Sequence, residues 1–302
     1  MRTSLVSPTT PAQWQQYFAL RYAILREPWQ QPLGSERDDA EAEAYHLMVE
    51  NSAGVVLAVG RCQLLTPTSA QIRFMAVATE QQGKGFGRQV LRGLEEWAQQ
   101  QGCRTVQLNA REQAVEFYRR LGYQLGEAAS TLFGIPHWQM QKSLVCAGSP
   151  ELWQQWGQQL QQLWHQTIPL SAFMQLTVQQ FDGRALVCAA ELAPNKNLHH
   201  SMFAGSIYAL ATLTGWGMVH LQLQALGLTG DIVLADANIR YRAPLVQQPS
   251  ARVSLLDCDG DLTGLLRGKQ VRQQLRVTLY SGQQAVAEFS GCYAVLPKKL
   301  RP

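Results

Sequence analysis

The order of apolar and polar residues in the first half of the chain predicts a mixed α/β unit. Thr10 followed by Pro11 is typical of a helix start, because threonine caps the first turn and proline fits its geometry. The face that we expect this helix to bury consists of Trp14, Phe18, Tyr22 and Leu25. Strands are predicted after it at 45–50, 55–64, 71–78, 105–109 and 137–144, and helices at 85–101 and 113–121.

The second half predicts one long apolar helix followed by antiparallel strands. A glutamine-rich helix over 151–166 and a hairpin that turns at Asp182-Gly183 come first. The long helix over 203–226 keeps a helical period of apolar residues, contains many small residues and has no carboxylate. This order predicts a sheet wrapped around a central helix. The strands that we predict are 231–241, 251–256, 270–280 and 284–296.

The length of 302 residues exceeds that of an ordinary single domain, so we expect two. The segment Ala147-Gly148-Ser149-Pro150 has the composition of a linker. The prediction is therefore an α/β (α+β) chain with a first domain over 1–146 and a second over 147–302.

Composition excludes several classes of protein. Apolar residues make up 46% of the chain, but no window approaches the ~18 uninterrupted apolar residues of a membrane span. The N-terminal residues lack the apolar run of a signal peptide, so we expect a cytoplasmic protein without membrane association. The six cysteines have no Cys-x-x-Cys spacing, which argues against a metal site and a disulfide framework. A net charge of +4, scattered along the chain, argues against nucleic-acid binding.

A glycine-rich turn in the first half is the first candidate for chemistry. Residues 72–77 predict a strand, and Gln82-Gly83-Lys84-Gly85-Phe86-Gly87-Arg88 opens the following helix. Glycines at such a turn let backbone N–H groups approach an anion at the helix N-terminus, where the helix dipole favours negative charge. A pyrophosphate would fit there, although the same pattern also occurs in ordinary turns of α/β proteins.

Together with Asn109 and the segment 114–123, this turn resembles the GNAT superfamily of acetyl-CoA-dependent N-acetyltransferases. The family's signature Gln/Arg-x-x-Gly-x-Gly/Ala is met by Gln82, Gly85 and Gly87. The resemblance implies that acetyl-CoA binds with its pantetheine along the strand end and its pyrophosphate on the turn. The cofactor-binding residues that it implies are Met75, Ala76, Val77, Gln82, Gly83, Lys84, Gly85, Phe86, Gly87, Arg88 and Asn109.

The resemblance also implies a proton donor for the departing thiolate, at Tyr118. A phenol with a pKa of about 10 is suited to protonating an alkyl thiolate of similar pKa. The alternative is a core aromatic residue in an amphipathic helix. No general base stands out, and the acetyl acceptor is not identified. The segments 26–28 and 36–43, together with His46, are expected to line the acceptor side.

A polar loop before the long helix is the second candidate. The segment 193–207 carries two asparagines and two histidines, and residues 231–244 resemble the central strand of hot-dog proteins. The segments 168–171, 193–197, 201–206 and 214–217 further resemble the YiiD-type domain, a family long labelled thioesterase and identified with malonyl-acyl-carrier-protein decarboxylase activity. The resemblance implies a phosphopantetheine thioester substrate, on acyl carrier protein or acyl-CoA, and a homodimer formed through this domain.

Decarboxylation of a malonyl thioester leaves an enolate, which needs hydrogen-bond donors at the carbonyl oxygen. The side-chain amides of Asn195 and Asn197 are candidates, and Asn197 is our first choice. His200, with His199, is expected to orient the loop or to protonate the enolate carbon. The alternative is that these residues merely cap a helix.

Two other functions stay open at this stage. Asp236 of one subunit could face the loop of its partner and activate water, which would make the second domain a thioesterase. It could also be a non-catalytic module that dimerises the acetyltransferase. The favoured function is conversion of malonyl-acyl-carrier protein to acetyl-acyl-carrier protein in the initiation of fatty-acid synthesis, joined to acetyl transfer by the first domain.

Overall fold

The structure, a computed structural model, describes residues 2–298 and divides the chain into two units. One unit ends at Leu144 and the other begins at Val145, two residues before the predicted boundary. The first unit has a mixed sheet and the second an antiparallel one, which confirms the predicted α/β (α+β) class.

The first unit contains seven strands and three α-helices in its described residues. Five of the strands and all three helices lie where the sequence predicts them. The strands β1 and β6 were not predicted: β1 has four residues, and β6 is an almost fully exposed edge strand without apolar alternation. The elements are β1 Thr3–Val6, α1 Pro11–Leu25, β2 Tyr45–Asn51, β3 Val56–Thr66, β4 Ser69–Val77, α2 Phe86–Gln100, β5 Thr105–Arg111, α3 Val115–Arg120, β6 Gln124–Leu132 and β7 Ile135–Ser143.

The sheet of this unit opens in its middle. Its order is β1-β2-β3-β4-β5-β7-β6, and only the contact between β4 and β5 is parallel. These two strands pair over Ser69–Gln71 and Thr105–Gln107 and have no ladder beyond that point. The carboxyl-terminal halves of β4 and β5 therefore diverge and leave a cleft between them.

The buried face of helix α1 overlaps the predicted one but is centred on other residues. Thr10 caps it in a capping box with Gln13, as its sequence suggests. The buried line, however, runs through Tyr17, Arg21 and Leu25, whereas the other predicted residues are only partly buried. The Tyr17 hydroxyl donates to the Gly60 carbonyl at 2.9 Å, which turns the helix toward β3.

The second unit wraps an antiparallel sheet around one long helix. Its strand order is β10-β14-β13-β11-β9-β8, with the short β12 against β13. The elements are α4 Pro150–Thr167, α5 Pro169–Phe173, β8 Thr177–Phe181, β9 Ala185–Ala189, α6 Ala204–Ala225, β10 Gly230–Tyr241, β11 Pro249–Ser254, β12 Cys258–Asp259, β13 Val271–Ser281 and β14 Gln284–Pro297.

Helix α6 forms the centre of the core because its small residues allow close approach. A Cβ on Gly215 would collide with the Tyr293 hydroxyl, and one on Gly217 would lie 2.7 Å from the ring of Trp164. The helix begins at Ala204, one residue later than predicted. Phe203, which the sequence predicts as the first residue of the helix, precedes it with 56% of its surface exposed.

Candidate functional site

The cleft between β4 and β5 is shaped by an irregularity in β4. The pairing of β3 with β4 shifts register between Val59 and Arg61, and Phe74 adopts a φ of 53°, in the left-handed region. Ala76 beyond the shift pairs with Val59 and is buried, while Met75 and Val77 are half-buried. The end of β4 thus presents backbone to the cleft at the residues that the sequence predicts to bind pantetheine.

The glycine-rich turn leads from β4 into the N-terminus of α2. Gly83 and Gly85 have φ values of 76° and 88°, which side chains with a Cβ rarely adopt. No atom lies within 4 Å of the place where a Cβ of either would stand. No side chain caps the first turn of α2, whose backbone N–H groups have no carbonyl partner within the helix. This is the local geometry that an anion such as a pyrophosphate requires.

Neighbouring residues fix this turn in place. Gln82 donates from its amide to the Val77 carbonyl at 3.4 Å, and the Lys84 ammonium donates to the Gln81 side chain at 3.1 Å. A Cβ on Gly87 would lie 3.2 Å from a methyl of Val77, so the glycine lets α2 pack against the end of β4. Phe86 and Arg88 lie in the first turn of the helix, and Asn109 is exposed on β5 opposite Gln139.

Tyr118 is buried in α3 with 7% of its surface exposed. Its ring makes edge contacts with Phe117 at 5.0 Å and Tyr123 at 5.6 Å between centroids. Burial raises the pKa of the Tyr118 phenol, and the positive charge of Arg111 lowers it in part. The phenol is therefore a weaker acid than an ordinary tyrosine, so its pKa matches that of an alkyl thiol less closely than the sequence suggests. Its contacts are equally those of the core aromatic residue that the sequence left as the alternative.

The acidic segment expected on the acceptor side is neutralised by buried arginines. Glu41 accepts two hydrogen bonds from Arg21, at 2.8 and 2.9 Å, and lies 2.7 Å from Arg61. Asp38 binds Arg61 at 2.7 Å, and this guanidinium lowers the pKa of Asp38 against the opposing effect of burial. His46 contacts the Tyr17 hydroxyl at 3.2 Å and the Glu41 carbonyl at 2.8 Å, which is a structural role.

Asn195 lies at the base of the polar loop in the second unit, with 2% of its surface exposed. Its amide nitrogen donates to the carbonyls of Met174 at 3.1 Å and Glu191 at 2.7 Å. Both partners are acceptors, so this assignment of the amide is unambiguous. Because both amide protons are used, the prediction that Asn195 donates to an oxyanion gives way to an anchoring role in this arrangement.

Asn197 organises the tip of the same loop. Its side-chain oxygen accepts from the backbone N–H groups of His199 at 2.8 Å and Ser201 at 3.3 Å. Its amide nitrogen donates to the Ser201 hydroxyl at 3.1 Å, which leaves one amide proton without a partner. His200 is exposed and has a φ of 59°, because the backbone turns sharply here. Neither histidine makes a side-chain hydrogen bond in the described part of the chain.

The loop is tied directly to the start of α6. The N–H of Phe203 donates to the Asn195 carbonyl at 2.7 Å, and Lys196 pairs with Met202 as an isolated bridge. No side chain caps α6, so the alternative that these loop residues serve only as helix caps is wrong. The Tyr241 hydroxyl donates to the Ala204 carbonyl at 3.1 Å. Free backbone donors therefore lie beside the loop that carries Asn197.

The thioesterase alternative depends on the position of Asp236. Asp236 lies exposed on β10, where a register shift after Leu234 moves it away from the core face.

Among residues 2–298 no group of three or more histidine, cysteine or acidic side chains is arranged to hold a metal ion. In the same residues no helix is long and apolar enough to cross a membrane. The predicted cofactor contacts themselves stay predictions.

Sequence reasoning missed one part of the first site. Phe74 lies on β4 under several guanidinium groups, of which Arg21 is the closest at 3.8 Å from its ring centroid. Arg111, at the end of β5, was not considered although it follows Asn109 by two positions. The signal in the sequence was an arginine two positions after the end of the predicted strand 105–109.

Comparison with known proteins gives a match for each unit. A family model described as "Acetyltransferase (GNAT) family" matches residues 13–123, and one described as "Putative thioesterase (yiiD_Cterm)" matches residues 157–297. The Bacillus subtilis "Uncharacterized N-acetyltransferase YjcF" is 31% identical over 126 residues, which are 41% of this chain and 89% of that protein.

Two other similar proteins cover one unit or less. Mouse N-alpha-acetyltransferase 80 is 41% identical over 66 residues, which are 22% of this chain and about a fifth of the mouse protein's length. The crystal structure of the "putative thioesterase" from Shewanella oneidensis is 48% identical and covers 48% of this chain and 99% of that one, with a TM-score of 0.46.

Proposed function

The chain belongs to the GNAT acetyltransferase family and carries a YiiD-type thioesterase domain, and we propose that it combines acetyl transfer from acetyl-CoA with decarboxylation of malonyl-acyl-carrier protein. Membership in these families makes it an enzyme. The two activities are assigned to the two units separately. The proposal places the protein in the cytoplasm, in acyl-thioester metabolism.

For the first unit, the proposed ligand is acetyl-CoA in the cleft between β4 and β5. The pantetheine would run along the backbone of Met75 to Val77, and the pyrophosphate would lie on the uncapped first turn of α2. In the reaction the acceptor nitrogen attacks the acetyl carbonyl, the carbon–sulfur bond breaks, and Tyr118 protonates the thiolate. The position of Tyr118 on α3, which follows the end of β5, supports that role.

For the second unit, one observation supports decarboxylation over hydrolysis. Helix α6 has no carboxylate, while uncapped backbone N–H groups at its start and the spare amide proton of Asn197 lie in adjoining segments. In the reaction the bond to the carboxylate carbon breaks, carbon dioxide leaves, and the electron pair moves to the thioester oxygen as an enolate. Donors of this kind stabilise the enolate oxygen. His200 is the proposed proton source for the enolate carbon.

We also propose that the second unit forms a homodimer. Strand β10 has twelve residues and, within residues 2–298, pairs only with β14. A long open edge is an unsatisfied row of backbone donors and acceptors, and a second copy could pair with it. The physiological partner is proposed to be acyl carrier protein, with acyl-CoA as the other source of the same thioester.

A thioesterase is the second candidate, supported by the exposed carboxylate of Asp236 on the open edge. The experiment incubates full-length protein with malonyl- and acetyl-acyl-carrier protein and follows the carrier by intact mass spectrometry. Decarboxylation converts the malonyl form to the acetyl form and leaves the acetyl form unchanged. Free holo-carrier from both substrates would favour the thioesterase. Unchanged substrates would favour a non-catalytic module.

A further inference from the structure

Two arginines beside the cleft of the first unit lack an acidic partner. Arg26 directly follows α1 and has 8% of its surface exposed, and Arg111 ends β5 and is half-buried. The two guanidinium groups donate to the same carbonyl oxygen, that of Leu25, at 2.9 and 3.3 Å. Two positive charges therefore converge on one neutral acceptor. Within residues 2–298 neither lies within 4 Å of a carboxylate.

The carboxylates of the neighbouring acidic segment are paired with other arginines. Glu36, Asp38 and Glu41 come from the segment beside α1, and each has a closer cationic partner. The pairs are Glu36 with Arg37 at 3.4 Å, Asp38 with Arg61 at 2.7 Å and Arg73 at 3.0 Å, and Glu41 with Arg21 at 2.8 Å and Arg61 at 2.7 Å. Four arginines thus pair with these three carboxylates, and Arg26 and Arg111 add two further positive charges without an ion pair.

Aromatic rings fix the planes of both guanidinium groups. Arg26 lies 5.0 Å from the ring centroid of Phe133, at the β6–β7 turn, and Arg111 lies 4.1 Å from that of Trp29. Stacking of this kind restricts a guanidinium without using its N–H groups. Arg26 uses two of its five N–H donors in protein hydrogen bonds, through Ser35 and Leu25, and Arg111 uses one. The remaining donors are preorganised for an anion.

The location links this pair to the cleft. Arg111 ends β5, and Arg26 also lies 5.4 Å from the ring of Phe74 on β4. These strands are the two that diverge, and the pair therefore lies at the cleft in which we propose the acetyl thioester. Burial lowers the pKa of both guanidinium groups, and the charge of Arg26 lowers that of Arg111 further. A bound anion would relieve this repulsion.

We propose that Arg26 and Arg111 bind an anionic group, a carboxylate or a phosphate, on the amine that accepts the acetyl group. This inference rests on the proposed acetyltransferase function and names the class of its acceptor. The amine nitrogen attacks the acetyl carbonyl, the amide bond forms as the carbon–sulfur bond breaks, and the proton passes to the thiolate. The arginines hold the far end of the acceptor and take no part in the proton transfer.

The test compares pairs of acceptors of which one member carries the anionic group and the other lacks it, with kcat/KM calculated on the concentration of unprotonated amine because the anionic group also changes the pKa of the amine. Full-length protein and acetyl-CoA are incubated with free amino acids and the matching amino-acid amides, and with O-phosphoethanolamine and ethanolamine, and the acetylated products are measured by mass spectrometry. We expect kcat/KM about 10- to 100-fold higher for the charged member of a pair, the effect of one or two charge-assisted hydrogen bonds. The first pair tests a carboxylate and the second a phosphate.

Substitutions test whether the arginines cause the preference for charged acceptors. Arg111→Gln should remove most of the charge preference, read as the ratio of kcat/KM for the two members of a pair, and Arg111→Lys should restore part of it. Arg104→Gln, at the exposed start of the same strand region, is the matched control and should retain the preference. Equal use of charged and neutral acceptors by the wild type, or an unchanged preference in Arg111→Gln, would overturn the inference.

Binding measurements keep the result independent of turnover. Protein saturated with CoA, so that the pyrophosphate site is filled, is titrated with each member of a pair by calorimetry. Absence of any preference for the charged member in binding and in turnover would contradict the inference. Failure of acetyl-CoA itself to bind, measured first in the same samples, would instead count against the proposed acetyltransferase function.

Discussion

Replacement of Asn197 by aspartate separates its role in shaping the loop from its proposed role as a hydrogen-bond donor to the enolate oxygen. The side-chain oxygen accepts hydrogen bonds from the backbone of His199 and Ser201, and a carboxylate at the same place can accept both. The donor to the Ser201 hydroxyl is lost, but that hydroxyl can donate to the new carboxylate instead. The loop therefore keeps its hydrogen bonds. Because the site is only half-buried, we expect the free energy of unfolding to change by no more than about 1 kcal/mol.

The effect on decarboxylation should be far larger. Removal of one donor to a developing oxyanion typically lowers the rate by roughly 10²–10³, or about 3–4 kcal/mol. The added negative charge opposes the enolate and should increase this loss. The assay measures the rate of conversion of malonyl- to acetyl-acyl-carrier protein by intact mass, and thermal denaturation measures stability in the same preparations. We expect a loss of at least 10²-fold with an almost unchanged melting temperature.

Gln180→Glu is the matched control, since it makes the same amide-to-carboxylate change at an exposed position of β8. It should keep the wild-type rate. Wild-type turnover by Asn197→Asp would refute the assignment of the enolate donor to this residue. Asn197→Ala is less informative, because it would also remove the hydrogen bonds that shape the loop.

Three further predictions test the first unit. Tyr118→Phe should lower the rate of acetyl transfer by roughly 10²-fold without changing acetyl-CoA affinity, as measured by steady-state kinetics and calorimetry. Glu95→Gln should lower the free energy of unfolding by about 3–5 kcal/mol, because Glu95 pairs with Lys142 at 2.9 Å in the core and the lysine would be left unpaired; urea denaturation measures this. Burial lowers the pKa of His46 from its ordinary 6.5, so the unfolded chain binds the proton more readily and stability should fall as the pH drops below 6.5; His46→Gln should flatten that dependence in pH-resolved melts.

Local sequence patterns predicted most helices and strands of the first unit, but not the residues at the centre of the buried face of α1. The sequence predicts the start of this helix because threonine and the following proline act on adjacent residues. Its buried face depends on Arg21, a charged residue that periodicity assigns to solvent. Glu41 neutralises that arginine from twenty positions away, and only the folded chain brings the two together. Periodicity alone therefore could not place Arg21 in the buried face, although Trp14 and Phe18 of the predicted face do pack against the core.

The two candidate sites differ in how far the sequence could predict them. The glycine-rich turn is recognisable because its requirement is local: Gly83 and Gly85 supply the backbone angles that the turn needs. The two loop asparagines look equivalent in the sequence. They differ because the carbonyls of Met174 and Glu191 occupy the amide of Asn195, and neither partner can be inferred from the loop itself.

The position of Asp236 bears on whether the second unit decarboxylates or hydrolyses its thioester. The extra residue in β10 after Leu234 moves this carboxylate from the face toward α6 to the exposed face. In a single copy α6 therefore carries no acidic residue and Asp236 faces away from it, which is the basis for proposing an enolate instead of an activated water. Hydrolysis would require the carboxylate of a second copy, brought in across the open edge of β10. The choice between decarboxylation and hydrolysis thus depends on the geometry of that edge, not on the helix alone.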